Sequence, residues 1–106
     1  MPISGLKAWF SEMKGLNLTG ELPAEFANLA NLLMIDLSRN YINGSIPRVF
    51  GQLHLTNLSL GGNLISGLIP SEIGNIDTLE ELVLENNQLE GPLPVNLGNL
   101  SRLKRL

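Results

Sequence analysis

Apolar residues recur along the chain in a fixed order. Leu32, Ile35 and Leu37 are followed by Leu55, Leu58 and Leu60, and then by Leu79, Leu82 and Leu84. The last two of each trio are two residues apart, the period of a strand buried on one face. Each trio therefore predicts a short strand, with Ile35/Leu37, Leu58/Leu60 and Leu82/Leu84 pointing inward. Gly-x-x-Pro falls at Gly20/Pro23, Gly44/Pro47, Gly67/Pro70 and Gly91/Pro94, at intervals of 24, 23 and 24. Four such matches define a tandem repeat, L-x-x-L-x-L-x-x-N-x-L-x-G-x-I/L-P, in which each unit adds one strand to a parallel sheet. Beyond the prolines, Phe26/Leu29, Phe50/Leu53, Ile73/Ile76 and Leu97/Leu100 are three apart. That spacing predicts a 3₁₀ or helical turn with one buried side, on the convex side opposite the strands.

Tight coils leave backbone groups unpaired at their corners. Asn40, Asn63 and Asn87 recur where an amide can donate to and accept from neighbouring turns, which predicts an inward structural ladder. Two departures from the pattern stand out. Repeat two is one residue short between Leu53 and Leu55, with His54 in the shortened link. The first repeat carries Leu16 at the ladder position, Asn17 next to it and Ser11 where an inward leucine belongs, so its pairing should be weaker. Ahead of it, Leu6, Trp9, Phe10 and Met13 fall at i, i+3, i+4 and i+7, one helical stripe. The division expected is an atypical N-terminal segment at 1–12, read as a short amphipathic helix, and about four repeats at 13–106.

Composition narrows the function classes. Leu, Asn and Gly supply 23, 12 and 11 of 106 residues, and net charge is −3. Seven basic residues are too few for a phosphate-neutralising surface, so no nucleic acid partner is expected. The longest strongly apolar run, Leu32-Leu33-Met34-Ile35, is far below the roughly 20 residues that cross a bilayer, so no membrane insertion by this chain is expected. Cysteine is absent, which excludes a disulfide framework or thiolate site. The N-terminal residues show no secretory-signal pattern.

The pattern matches the leucine-rich repeat, and its G-x-I/L-P extension resembles the plant extracellular subtype. The stretch Lys14-Gly15-Leu16-Asn17-Leu18-Thr19-Gly20-Glu21-Leu22-Pro23, continuing into Ile35-Asp36-Leu37-Ser38-Arg39-Asn40-Tyr41-Ile42-Asn43-Gly44-Ser45-Ile46-Pro47, is similar to the ectodomain repeats of plant leucine-rich-repeat receptor-like serine/threonine kinases. The group that also carries a malectin-like domain is the nearest in kind. The resemblance implies an α/β repeat fold: a short solenoid with parallel strands on the concave face and 3₁₀ or helical turns on the convex side. It also implies a signal peptide, a paired-cysteine cap, a membrane helix and a cytoplasmic kinase around such repeats. Only repeats are present here, ending at Leu103-Lys104-Arg105-Leu106, the start of a fifth strand. A fragment, a truncated gene model or a short paralogue is expected, placed outside the plasma membrane when part of the full receptor.

Aligned repeats stack the outward strand positions into columns: Met34, Asn57, Glu81 and Arg105; Asp36, Ser59 and Val83; Ser38, Gly61 and Glu85; Arg39, Gly62 and Asn86. These columns suit a shallow surface for a protein, peptide or glycan ligand or a co-receptor; they equally suit an ordinary solvated sheet face. Gly61 and Gly62 remove side chains in mid-face, where a ligand could approach closely. Asn17, Asn43, Asn57 and Asn99 each begin Asn-x-Ser/Thr, the glycan acceptor sequence of secreted chains. Asn43 and Asn99 are the expected acceptors, since Asn57 falls on the strand face. No catalytic constellation is apparent: His54 lacks triad partners, Glu80, Glu81, Glu85 and Glu90 fit no calcium loop, and phosphate-loop and kinase strings are missing. Neither cofactor nor metal is expected. The reading is non-enzymatic recognition as part of a receptor-like kinase ectodomain; the alternative is a soluble leucine-rich-repeat protein such as an inhibitor of cell-wall hydrolases.

Overall fold

The structure, a computed structural model, describes residues 11–29 and 32–104. Each coil carries a strand, a tight corner, a second short strand and a 3₁₀ turn. The first strands, β1 (Ser11–Glu12), β3 (Met34–Asp36), β5 (Asn57–Ser59) and β7 (Glu81–Val83), form one parallel sheet in that order. Its register sets Met34 beside Asn57 and Glu81, and Asp36 beside Ser59 and Val83, as the repeat alignment predicts. Ser11 lies opposite Ile35, so the sheet begins two residues before the expected boundary at 13, because Ser11–Glu12 find backbone partners in β3. The amphipathic helix expected at 1–12 otherwise lies outside the described residues.

Inward strand positions are sealed from water except Leu84 in the last repeat, which is half-buried. Ile35, Leu37, Leu58, Leu60 and Leu82 are fully buried, joined by Leu55 and Leu79 from the approach to each strand. Burying such a side chain is worth about 1.5–3 kcal/mol, and here nearly all of it is made against adjacent coils. On the convex side four five-residue 3₁₀ turns occur among the described residues: Ala24–Asn28, Arg48–Gln52, Ser71–Asn75 and Val95–Asn99. A proline with extended backbone precedes each, its missing N–H costing nothing at a helix start. Phe26 and Phe50 face inward from the first two and stack at 6.4 Å between centroids. A Cβ on Gly51 would lie 2.4 Å from the carbonyl oxygen of Glu72, and one on Gly74 would lie 2.4 Å from that of Asn96. The absence of a side chain therefore sets how closely these turns stack.

The missing residue of repeat two has a local solution. In repeats one, three and four, Leu32, Leu79 and Leu103 donate to the carbonyls of Leu29, Ile76 and Leu100, closing a turn into the next strand. Repeat two lacks the residue that such a turn needs. Leu53 instead takes an extended backbone with ψ 152°, against ψ between 78° and 82° at Leu29, Ile76 and Leu100, and leads into the exposed His54.

A second set of strands was not anticipated. β2 (Thr19–Glu21) pairs with β4 (Tyr41–Asn43), and β6 (Ser66–Gly67) with β8 (Gln88–Leu89). Their register is displaced by two: Thr19 faces Tyr41, where repeat alignment would oppose it to Asn43.

Candidate functional site

The corner between the two strand sets holds the amides. Asn40 Oδ1 accepts from the N–H groups of Leu16 and Leu18 at 3.0 and 2.9 Å, and its Nδ2 donates to the carbonyls of Met13, Leu37 and Ser38. Asn63 Oδ1 accepts from Ile42, and its Nδ2 donates to Leu37 and Leu60. Asn87 accepts from Ile65 and donates to Leu60 and Leu84. The carbonyls of Leu37 and Leu60 are thus each shared by two successive asparagines. In repeat one Leu16 makes no such network and is 53% exposed.

This corner holds the concave sheet rigid from behind. Beyond the strands the backbone ladder continues, with Arg39 N–H donating to Gly61 at 2.8 Å and Gly62 N–H donating to Glu85 at 3.0 Å. Arg39, Gly62 and Asn86 occupy equivalent places with φ of 57°, 73° and 58°. The left-handed conformation recurs there because the chain turns sharply from sheet to corner, and only glycine accepts it without cost.

On the outer face lies an open concavity of about 300 Å³, lined by Ser38, Arg39, Ser59, Gly61, Gly62, Glu81, Val83, Glu85 and Asn86. All nine belong to the predicted columns. Met34 and Asn57, at the start of their strands, and Asp36, at the end of β3, stay outside it. Asp36 is engaged locally, its Oδ1 accepting from Ser38 Oγ at 2.6 Å. The mid-face glycines differ from expectation: Gly61 is buried, because Val83 and the Glu85 backbone lie 3.3 Å from where its Cβ would stand. Gly62 is flanked in the same way by Arg39 at 3.4 Å. What the glycines provide is room for residues of repeats two and four to stand close over repeat three.

Of the sequon asparagines, Asn17, Asn43 and Asn99 are exposed, whereas Asn57 is half-buried in the central sheet beside the fully buried Leu58. Among the described residues no group of three or more His, Asp or Glu side chains could hold a metal, and no helix is long and apolar enough to cross a membrane. A larger groove of about 730 Å³, which the sequence reading missed, runs beside Pro47, Pro70 and Pro94 between Arg48 and Glu72. The recurring prolines signalled a turn, but nothing in their spacing signalled an open trough.

Stacked parallel strands, an inward amide ladder and an open side-chain-lined sheet define a repeat solenoid of the kind that offers a face for recognition. The chain belongs to the leucine-rich-repeat family, whose profiles match residues 17–65 and 78–100, and its repeats are of the plant receptor-kinase ectodomain type. A protein of Arabidopsis thaliana, described as a probable leucine-rich repeat receptor-like serine/threonine-protein kinase, is 54% identical over 94 residues, 89% of this chain and 9% of that protein. The crystal structure of the BIR3–SERK2 complex from Arabidopsis thaliana superposes with a TM-score of 0.85 at 38% identity, covering 89% of this chain and 51% of that one. The ectodomain of the Arabidopsis receptor kinase HAESA, in complex with an IDA peptide hormone, superposes with a TM-score of 0.81 at 38% identity, covering 84% and 16%. The chain therefore spans under a tenth of that kinase and about half of the BIR3–SERK2 chain it matches.

Proposed function

We propose that this chain is a non-enzymatic recognition module of a receptor-like kinase ectodomain, working on the extracellular side of the plasma membrane, and that its concave face takes a peptide or a peptide-like segment of a protein partner. The concavity carries this reading. Nine outward residues of three successive repeats converge there on a rigid sheet, with an exposed cation, an exposed carboxylate, hydroxyls and an apolar Val83 within one hollow. The peptide-bound HAESA ectodomain and the BIR3–SERK2 complex, built on the same repeats, support it.

The test uses random peptides displayed on phage and panned against the chain. Binders should be lost on Ser59→Trp, which fills the hollow, and kept on Val49→Trp on the exposed convex side, with urea melts confirming that both variants fold. Binders that survive Ser59→Trp and fail on Val49→Trp would move the site to the other side of the coil.

A further inference from the structure

Two exposed apolar side chains of the second strand set stand beside a glycan acceptor sequence. Along β4 the faces alternate, so Tyr41 and Asn43 point outward together while Ile42 between them is buried. Tyr41, the single tyrosine of the chain, is 57% exposed. Leu64 N–H donates to the Ile42 carbonyl at 2.8 Å, which brings the exposed Leu64 against the other edge of β4. Glu21 is opposite Asn43 in the register, but its Cγ stands 2.7 Å from where a Cβ on Gly44 would be, so its carbon chain lies over Gly44. The outward side of Asn43 is left to an aromatic face and a leucine.

The other acceptor sequences lack such a neighbour. Two residues before Asn17 is Gly15, which has no side chain; two before Asn57 and Asn99 are Leu55 and Leu97, both buried. Residues two apart on a strand lie roughly 7 Å apart on one face, within reach of a sugar ring joined to the Asn43 amide. The first sugar of an N-linked glycan is N-acetylglucosamine, whose ring presents C–H bonds on its faces and hydroxyls at its rim. A C–H face can cover an aromatic ring while the hydroxyls stay in water.

Building on the extracellular placement given above, we propose that Tyr41 is a sugar-binding residue: it stacks on the first N-acetylglucosamine of a glycan carried by Asn43, with Leu64 against the sugar's edge. Attachment joins Asn43 Nδ2 to the anomeric carbon of a lipid-linked oligosaccharide diphosphate. The bond from that carbon to the diphosphate oxygen breaks, and the amide releases one proton to solvent. Held on β4, the sugar adds a contact to the second strand set and leaves the concave sheet open to a partner.

The test is a double-mutant cycle in the full chain, expressed through a secretory pathway and trimmed enzymatically to one N-acetylglucosamine per site. Measured against Asn43→Gln, the sugar at Asn43 should raise the ratio of folded to unfolded chain about two- to tenfold in urea titrations, the range of aromatic contacts. Tyr41→Ser should remove most of that gain and Tyr41→Phe should keep it. The sugar at Asn99, measured against Asn99→Gln, should give none. In nuclear magnetic resonance spectra the Asn43 sugar protons that face the ring should move upfield and show through-space contact with Tyr41. An equal gain in Tyr41→Ser, no contact between ring and sugar, or Asn43 left unmodified overturns this inference. Peptide binding in Ser59→Trp reads the concave face separately, so a failure of that site and a failure of the sugar contact are told apart.

Discussion

Adjacent ladder asparagines should be energetically coupled, and alternate ones should not. The carbonyl of Leu37 accepts from Asn40 at 2.9 Å and from Asn63 at 3.0 Å, and that of Leu60 accepts from Asn63 and Asn87, both at 2.9 Å. Replacing Asn63 by the similarly sized Leu leaves both carbonyls a remaining donor, so the group orphaned is the buried N–H of Ile42. A buried unsatisfied donor costs about 1–3 kcal/mol, and that is the expected loss for Asn63→Leu. Asn40→Leu orphans the N–H groups of Leu16 and Leu18 and the Met13 carbonyl, so its loss should be larger, about 2–4 kcal/mol after discounting the part-exposed Leu16. The double variant additionally strips Leu37 of its last donor. Its destabilisation should exceed the sum of the singles by about 1–2 kcal/mol. Asn40 and Asn87 share no carbonyl, and their double variant should be additive within about 0.5 kcal/mol. Equilibrium urea unfolding followed by far-UV circular dichroism measures both cycles, provided the m-values stay constant. Additivity for Asn40/Asn63, or an equal excess for Asn40/Asn87, would refute shared carbonyls as the link between coils.

Three further outcomes follow from local geometry. Gly74→Ala should cost about 1–3 kcal/mol in a urea titration, since its Cβ would lie 2.4 Å from the Asn96 carbonyl, whereas Gly98→Ala, at the same place in the repeat with nothing within 4 Å, should be neutral or slightly stabilising. Gly62→Asn should leave the melting temperature nearly unchanged, because Asn86 already adopts φ 58° at the equivalent place, while Gly62→Val should lower it by an amount corresponding to about 1–2 kcal/mol. Intact-mass analysis after secretory expression should find glycans at Asn43 and Asn99 that Asn43→Gln and Asn99→Gln remove; modification confined to Asn57 would contradict the assignment.

Much of this arrangement is legible in the chain because the repeat supplies its own alignment. Placing Leu37, Leu60 and Leu84 at one position puts Met34, Asn57 and Glu81 in one column, and that column is the observed sheet register. Period-two alternation needs only local sterics, so inward and outward faces separate without knowledge of the fold. The second strands escape the same logic. Thr19–Glu21 and Ser66–Gly67 are short, rich in residues with little strand preference, and carry too few inward positions for an alternation to register. Their two-residue displacement depends on how each coil turns its corner, which no single repeat encodes.

The mid-face glycines mark where such reasoning stops. Column position says that Gly61 and Gly62 have no side chain, and the inference of an open pit is sound only while the neighbours stand upright. Val83, the Glu85 backbone and Arg39 instead border the vacancy, 3.3 to 3.4 Å from where the Cβ atoms would stand, and close contact there recovers dispersion energy that an empty site would forfeit. The effect transfers character from one repeat to another. Repeat three contributes little chemistry of its own to the hollow, yet its lack of side chains decides that a cation of repeat two and a carboxylate of repeat four border the same space. Enlarging that position should therefore act on recognition before it acts on stability. Gly62→Asn, which the backbone tolerates, is the variant that separates the two: a folded chain with unchanged peptide selection would mean that the charges act independently and that repeat three is only a spacer.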